Sequence, residues 1–148
     1  MEKPTVLLAD DNEATCTLIT AVLHHDFAVE VANDGIEAIE KLKSRQYAAI
    51  VLDLLMPFAD GYAVLDFLTE HRPDVLPHVL VVTASLAARE MQRVRSYEIF
   101  GVMPKPFEVD ALLLAVRRAA GTADVQSPRG PLLSSGMILL LGELLRRV

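Results

Sequence analysis

IVLDLLMPFADG, Ile50–Gly61, is an apolar, β-branched run that stops on a carboxylate, Asp53, and then continues with no charge of either sign through the next six residues. A strand of this composition reads as buried, and a carboxylate at its end needs a partner. Working outward, strand-like segments recur at Thr5–Ala9, Ala28–Ala32, Ala48–Leu52, Val79–Ala84 and Gly101–Met103. Helical patterns separate them. Asp11–Leu23 carries Ala14, Leu18, Ile19 and Val22 on one face, with Asp11 or Asn12 placed to cap it. Ile36, Ile39 and Leu42 form a stripe after the turn signal Asn33–Gly35. Tyr62–Glu70 and Leu86–Tyr97 follow, the latter with Ala87, Met91 and Val94 inward and Arg89, Arg93 and Arg95 outward. The last helix, Val109–Ala120, ends on Arg117 and Arg118, which suit its dipole, and Gly121 is a natural stop.

Alternation of five strands with five helices predicts an α/β domain, a doubly wound parallel sheet covered on both faces. Runs such as VLL and AAIVL read as central strands, and AVEVA, with Glu30 in its middle, as an edge. In such sheets ligands bind beyond the carboxyl ends of the strands. Those ends carry Asp10 and Asp11, Asp53, Thr83 and Lys105. Three acids brought together repel, and a hard divalent cation such as Mg²⁺ relieves that repulsion through oxygen ligands. Beside it a carboxylate can act as nucleophile toward a phosphoryl group, with Thr83 and Lys105 as donors to the phosphoryl oxygens. Taken singly the residues are blander: Asp10–Asp11 as helix-capping acids, Thr83 as a capping hydroxyl, Lys105 as a solvated lysine. Their conjunction at four strand ends is what carries the chemistry.

The chain has 148 residues, 52% hydrophobic and 23% charged, with a formal net charge of −6. This fits one globular domain with an appendage and does not suggest a nucleic-acid-binding surface. The single cysteine, Cys16, reads as a small apolar helix residue. No signal peptide or membrane span is apparent, so a cytoplasmic location is expected. After Gly121, GTADVQSPRGPLLSSG (121–136) reads as a flexible linker. MILLLGELLRRV (137–148) reads as a short apolar helix for docking or dimerisation, or as the remnant of an output domain. His24, His25, His71 and His78 fall at helix ends or in loops and read as surface residues.

VLLADDN (Val6–Asn12), VLDLLMPFADG (Val51–Gly61), VVTAS (Val81–Ser85) and MPKPF (Met103–Phe107) resemble the receiver domain of two-component response regulators, over about residues 4–120. The resemblance implies a flavodoxin-like fold with strand order 2-1-3-4-5. It implies phosphorylation of Asp53 by a sensor histidine kinase or phosphotransfer protein, and a signalling switch acting on a downstream protein target rather than an enzyme. Asp11, Asp53 and the backbone carbonyl of Leu55 would hold Mg²⁺, with Asp10 assisting through water. Thr83 and Lys105 would bind the phosphoryl oxygens, and the Lys105–Pro106 peptide would be cis, a form open in practice only to X-Pro bonds. Pro57 would fix the loop after Asp53, Gly61 would permit the turn into the next helix, and Asp60 would cap that helix.

The chain departs from the family in two places. An aromatic residue usually stands three before the lysine, where this chain has Val102, so coupling of Thr83 to a ring is not expected in its usual form. Two past Asp53 stands apolar Leu55, which offers a hydrolytic water no hydrogen bond and predicts slow loss of phosphate. Two alternatives compete with the switch: an interaction module that keeps only the fold, suggested by Val102, and an aspartyl-phosphate hydrolase. The latter is disfavoured because such enzymes place a second aspartate where Leu55 stands. No direct DNA binding is expected from this chain, and a homodimer is possible.

Overall fold

A computed structural model describes residues 2–84 and 87–121 of the chain. The proposed linker and C-terminal helix, 122–148, lie outside the described residues, as do Ser85 and Leu86. Five strands, β1 (Thr5–Ala9), β2 (Ala28–Ala32), β3 (Ala49–Leu52), β4 (Val79–Thr83) and β5 (Gly101–Pro104), form one parallel sheet in the order β2-β1-β3-β4-β5. Five helices alternate with them: α1 (Glu13–Leu23), α2 (Gly35–Ser44), α3 (Gly61–His71), α4 (Ala88–Val94) and α5 (Val109–Ala119). This is the flavodoxin-like arrangement expected from the sequence.

Both faces of the sheet are covered, which is why its inner strands β1, β3 and β4 are almost continuously apolar. Val6, Leu8, Val51, Leu80 and Val82 pack with residues of α1 and α5. The alternate residues Leu7, Ala9, Ile50, Leu52, Val79 and Val81 pack with α2, α3 and Val94 of α4. Burying each large side chain of this kind contributes about 1.5–3 kcal/mol. Glu30 is tolerated in β2 because that strand is an edge, where its carboxylate accepts from Tyr47 at 2.7 Å and pairs with Arg45.

Asn12 caps α1 by accepting from the Thr15 amide at 2.8 Å, Asp34 caps α2 through Glu37 at 2.8 Å, and Asp60 caps α3 through Ala63 at 2.9 Å. Gly121 terminates α5 in the left-handed region, φ 75°.

The helix faces differ in part from expectation. The buried residues of α1 are Cys16, Ile19 and Leu23, while Ala14 and Leu18 are exposed. In α2 Ile36 faces solvent, and Ala38 with Leu42 takes its place in the core. A short helix offers several nearly equivalent apolar stripes, and the sheet selects among them by proximity. α4 is shorter than Leu86–Tyr97, Ala87 is exposed, and only Val94 of the helix is fully buried. A 3₁₀ segment, Pro73–His78, follows α3, and its His78 ring nitrogen lies 2.7 Å from the Ala119 carbonyl at the end of α5.

Candidate functional site

The register of the sheet builds the site. Ala9 stands opposite Leu52, so the residues that follow, Asp10 and Asp53, leave the sheet side by side; Thr83 stands opposite Pro104, which precedes Lys105. The turns are fixed by backbone bonds: Asp10 donates to the Ala32 carbonyl at 3.0 Å, Asp53 to Ala9 at 2.9 Å and Lys105 to Thr83 at 3.0 Å. The Lys105–Pro106 peptide is cis.

Residues far apart in sequence thus meet at the carboxyl end of the sheet. Oxygens of Asp10, Asp11 and Asp53 all lie within 4.8 Å of one another. Lys105 Nζ sits 2.6 Å from Asp10 Oδ2 and 3.2 Å from Asp53 Oδ2. The side chains of Asp10 and Asp53 are only 3% and 8% exposed, whereas Asp11 is open to solvent. Burial by itself would lower the Lys105 pKa, but the Asp10 hydrogen bond and the Asp53 charge outweigh it and raise the pKa above the usual lysine value. The ammonium therefore stays charged. Asp10 Oδ1 also accepts from the Asn12 amide at 2.8 Å, and Asp53 Oδ1 from the Leu55 amide at 3.3 Å. Thr83 is fully buried at the end of the neighbouring strand. The donor set is hard oxygen with an open side at Asp11, which suits Mg²⁺ and not a soft metal.

The loop that bears Asp53 is held by close backbone contact. A Cβ on Gly61 would stand 2.4 Å from the Asp53 carbonyl oxygen and 2.6 Å from Leu54 Cα. The glycine is needed for this approach; its φ is not in the left-handed region, so it serves space and not the turn expected of it. Gly35, at the start of α2, donates to the Ala59 carbonyl at 2.9 Å, and a Cβ there would meet that oxygen at 2.1 Å. Phe58, between these anchors, adopts a φ of 67° and is 86% exposed.

Three features were not anticipated from sequence. Cys16 Sγ donates to the Asp10 carbonyl at 3.3 Å, Gly35 pins the Asp53 loop from another element, and α3 is joined to α4 by a polar cluster around Tyr62. The Asn-Asp-Gly turn signals a tight backbone at Gly35, but no local pattern names its partner. Val102 is buried in the core that α3 and α4 share with the sheet. None of the four histidines belongs to the acidic cluster.

The sequence profile of the response regulator receiver domain matches residues 6–117. The chain belongs to this family. The TctD transcriptional regulatory proteins of Salmonella typhimurium are 37% identical over 145 residues, covering 93% of this chain and 64% of their own length. This chain therefore spans less than two thirds of those relatives. The receiver domain of Francisella response regulator 1452 superposes with a TM-score of 0.73 at 26% identity, covering 80% of this chain and 98% of that one. The receiver domain of the sensor histidine kinase PA1611 from Pseudomonas aeruginosa, solved with a magnesium ion in its active-site cleft, shares the fold at TM-score 0.72 and 24% identity, covering 80% and 98%. The protein is a two-component signalling module, and its acidic pocket with Lys105 is consistent with Mg-dependent aspartate phosphorylation.

Proposed function

We propose that Asp53 is the phosphoacceptor, that Asp10, Asp11, Asp53 and the Leu55 carbonyl hold Mg²⁺, and that Thr83 and Lys105 bind the phosphoryl oxygens. One observation carries this reading: three carboxylates with oxygens within 4.8 Å, two of them buried, share the ammonium of Lys105. When bound, Mg²⁺ supplies positive charge that lets an anionic phosphoryl group approach this acidic cluster. The partner is a phosphohistidine protein, a sensor histidine kinase or phosphotransfer protein. An Asp53 carboxylate oxygen forms the new O–P bond as the donor's P–N bond breaks; the departing imidazole keeps the electron pair and takes a proton from solvent. The Lys105 ammonium shifts from the Asp53 carboxylate to the incoming phosphoryl oxygens, and the Thr83 hydroxyl donates to another.

The remaining assignments belong to the same proposal. Residues 1–121 are the receiver, 122–136 a linker and 137–148 a segment for docking, dimerisation or an output domain. The similarity to the TctD proteins covers 93% of the chain, more than the receiver profile alone, and so reaches into that tail. The receiver acts in the cytoplasm on a protein target and does not itself contact DNA. No helix among the described residues is long and apolar enough to cross a membrane.

The test is incubation with Mg²⁺ and acetyl phosphate, or with beryllofluoride. A stable adduct lost in Asp53→Asn is the expected result. Rapid turnover would favour a hydrolase, and no adduct would favour an interaction module, the reading suggested by Val102.

A further inference from the structure

α4 is lightly anchored in the core. It has seven residues, no side-chain N-cap and one fully buried side chain, Val94. Met91 packs partly buried against the same core, and the helix's polar and aromatic contacts reach α3. The Tyr62 hydroxyl donates to the Glu90 carboxylate in a short bond. The Arg93 guanidinium lies over the Tyr62 ring, 3.6 Å from its centroid, and so is not the freely solvated head that the outward arginine stripe suggests. Just past α4, the Tyr97 hydroxyl donates to Asp66 of α3 at 2.5 Å, and the Tyr62 and Tyr97 rings stand 6.4 Å apart.

The two sides of this clasp lead back to the two sides of the site. Tyr62 follows Gly61, which is packed against the Asp53 carbonyl and donates to Leu54 at 2.9 Å, so the Tyr62 side cannot move independently of the phosphoacceptor loop. α4 begins at Ala88, soon after Thr83 at the end of β4. The clasp thus joins the helix that follows Thr83 in the chain to the helix that follows Asp53. Beneath it, Val102 fills the shared core without supplying a ring on β5.

Resting on the phosphoacceptor reading of Asp53, we propose that the Tyr62–Glu90–Arg93 and Tyr97–Asp66 clasp is the switch of this receiver: it holds α4 on α3 while Lys105 is paired with the Asp53 carboxylate, and it opens when a phosphoryl group draws Lys105 and Thr83 toward itself. The clasp is the two-state element of this proposal because its bonds are few and directional, while α4 contributes one fully buried side chain, Val94, and one partly buried one, Met91, to the core. Coupling between two sites is reciprocal, so loosening the clasp strengthens phosphoryl binding by the same factor that phosphoryl binding loosens the clasp.

Beryllofluoride with Mg²⁺ serves as the probe on the full chain, read by amide hydrogen exchange over residues 88–97 and by beryllofluoride affinity. In the wild type, the adduct is expected to speed exchange in that segment about tenfold. In Tyr62→Phe, exchange is already fast without the probe and beryllofluoride binds about fivefold tighter. Tyr97→Phe shifts both readouts in the same direction and guards against a folding defect in the first variant. An Asp53-dependent adduct that leaves exchange over 88–97 unchanged, or that binds both variants with wild-type affinity, overturns the clasp while leaving the phosphoacceptor reading intact. Absence of any Asp53-dependent adduct overturns both.

Discussion

Replacing Gly61 by alanine tests how rigidly the fold positions Asp53. The new Cβ would stand 2.4 Å from the Asp53 carbonyl oxygen and 2.6 Å from Leu54 Cα, where ordinary contact begins near 3.4 Å. Both obstacles are backbone, so no side chain can swing aside; the loop must retreat from α3 by about 1 Å. Overpacking of this kind costs about 1–3 kcal/mol, which lowers the melting temperature of a domain this size by about 5–15 °C. A displacement of about 1 Å at a reacting group costs about 100-fold in rate. Gly61→Ala is therefore expected to melt earlier and to accept phosphate from acetyl phosphate about 100-fold more slowly, measured at a temperature where both proteins are folded. An unchanged rate in a destabilised variant would show that the strain relaxes into α3 and not into the Asp53 loop. Wild-type values for both would refute the packing argument.

Other expectations follow from the charges and hydroxyls around the same loop. Lys105→Met leaves Asp10 and Asp53 facing each other with no ammonium between them, a loss of about 3–5 kcal/mol for a buried pair. Added Mg²⁺ should then raise the melting temperature of the variant more than that of the wild type. Leu55→Asn places a polar group at the exposed mouth beside Asp53 and should speed decay of the phosphorylated protein; no acceleration would count against the water-exclusion reading. Burial first, and then the Asp66 hydrogen bond, raise the Tyr97 pKa from 10.0 to about 12, and Tyr62 is raised in the same direction by burial and Glu90. A phenol whose folded pKa is raised contributes stability that is complete below its unfolded pKa and is lost as pH rises through the folded value. Chemical denaturation should therefore show stability falling between about pH 10 and 12, and a smaller loss there in Tyr97→Phe.

What the sequence disclosed and what it withheld have separate physical origins. Strand ends are legible because a buried parallel strand is a continuous apolar run and its first charge marks the edge of the sheet; Asp10, Asp53 and Lys105 announce themselves in this way. The meeting of these residues follows from topology, and the register of Ala9 with Leu52 bears it out. Capping by Asn12 and Asp60 is equally local. The face a short helix presents is another matter. Leu18 and Ile36 are apolar yet exposed, because α1 and α2 need only one of several adjacent stripes to cover the sheet. Gly61 shows the remaining limit: its identity was visible, but the reason for it, an approach to the Asp53 backbone, belongs to a contact between segments and not to its own neighbours. The Tyr62–Glu90 bond spans two helices, and no periodicity encodes it.

Charge balance accounts for a carboxylate at the end of the most apolar strand. Three ionised aspartates against the single Lys105 ammonium leave two negative charges in the cluster, the amount one divalent cation cancels. Lys105 bridges the two buried acids, while solvent screens the exposed Asp11, so the fold tolerates the cluster before any ligand arrives. On the proposed reading, a phosphoryl group on Asp53 converts that carboxylate into an acyl phosphate, a mixed anhydride, and moves its charge outward onto oxygens that Lys105 and Thr83 can follow. The ammonium then has less reason to stay between Asp10 and Asp53, and the segment behind Thr83 gains a reason to move. In a core where position 102 is a valine, the contact that would have to yield to that movement is the proposed Tyr62 clasp on α4.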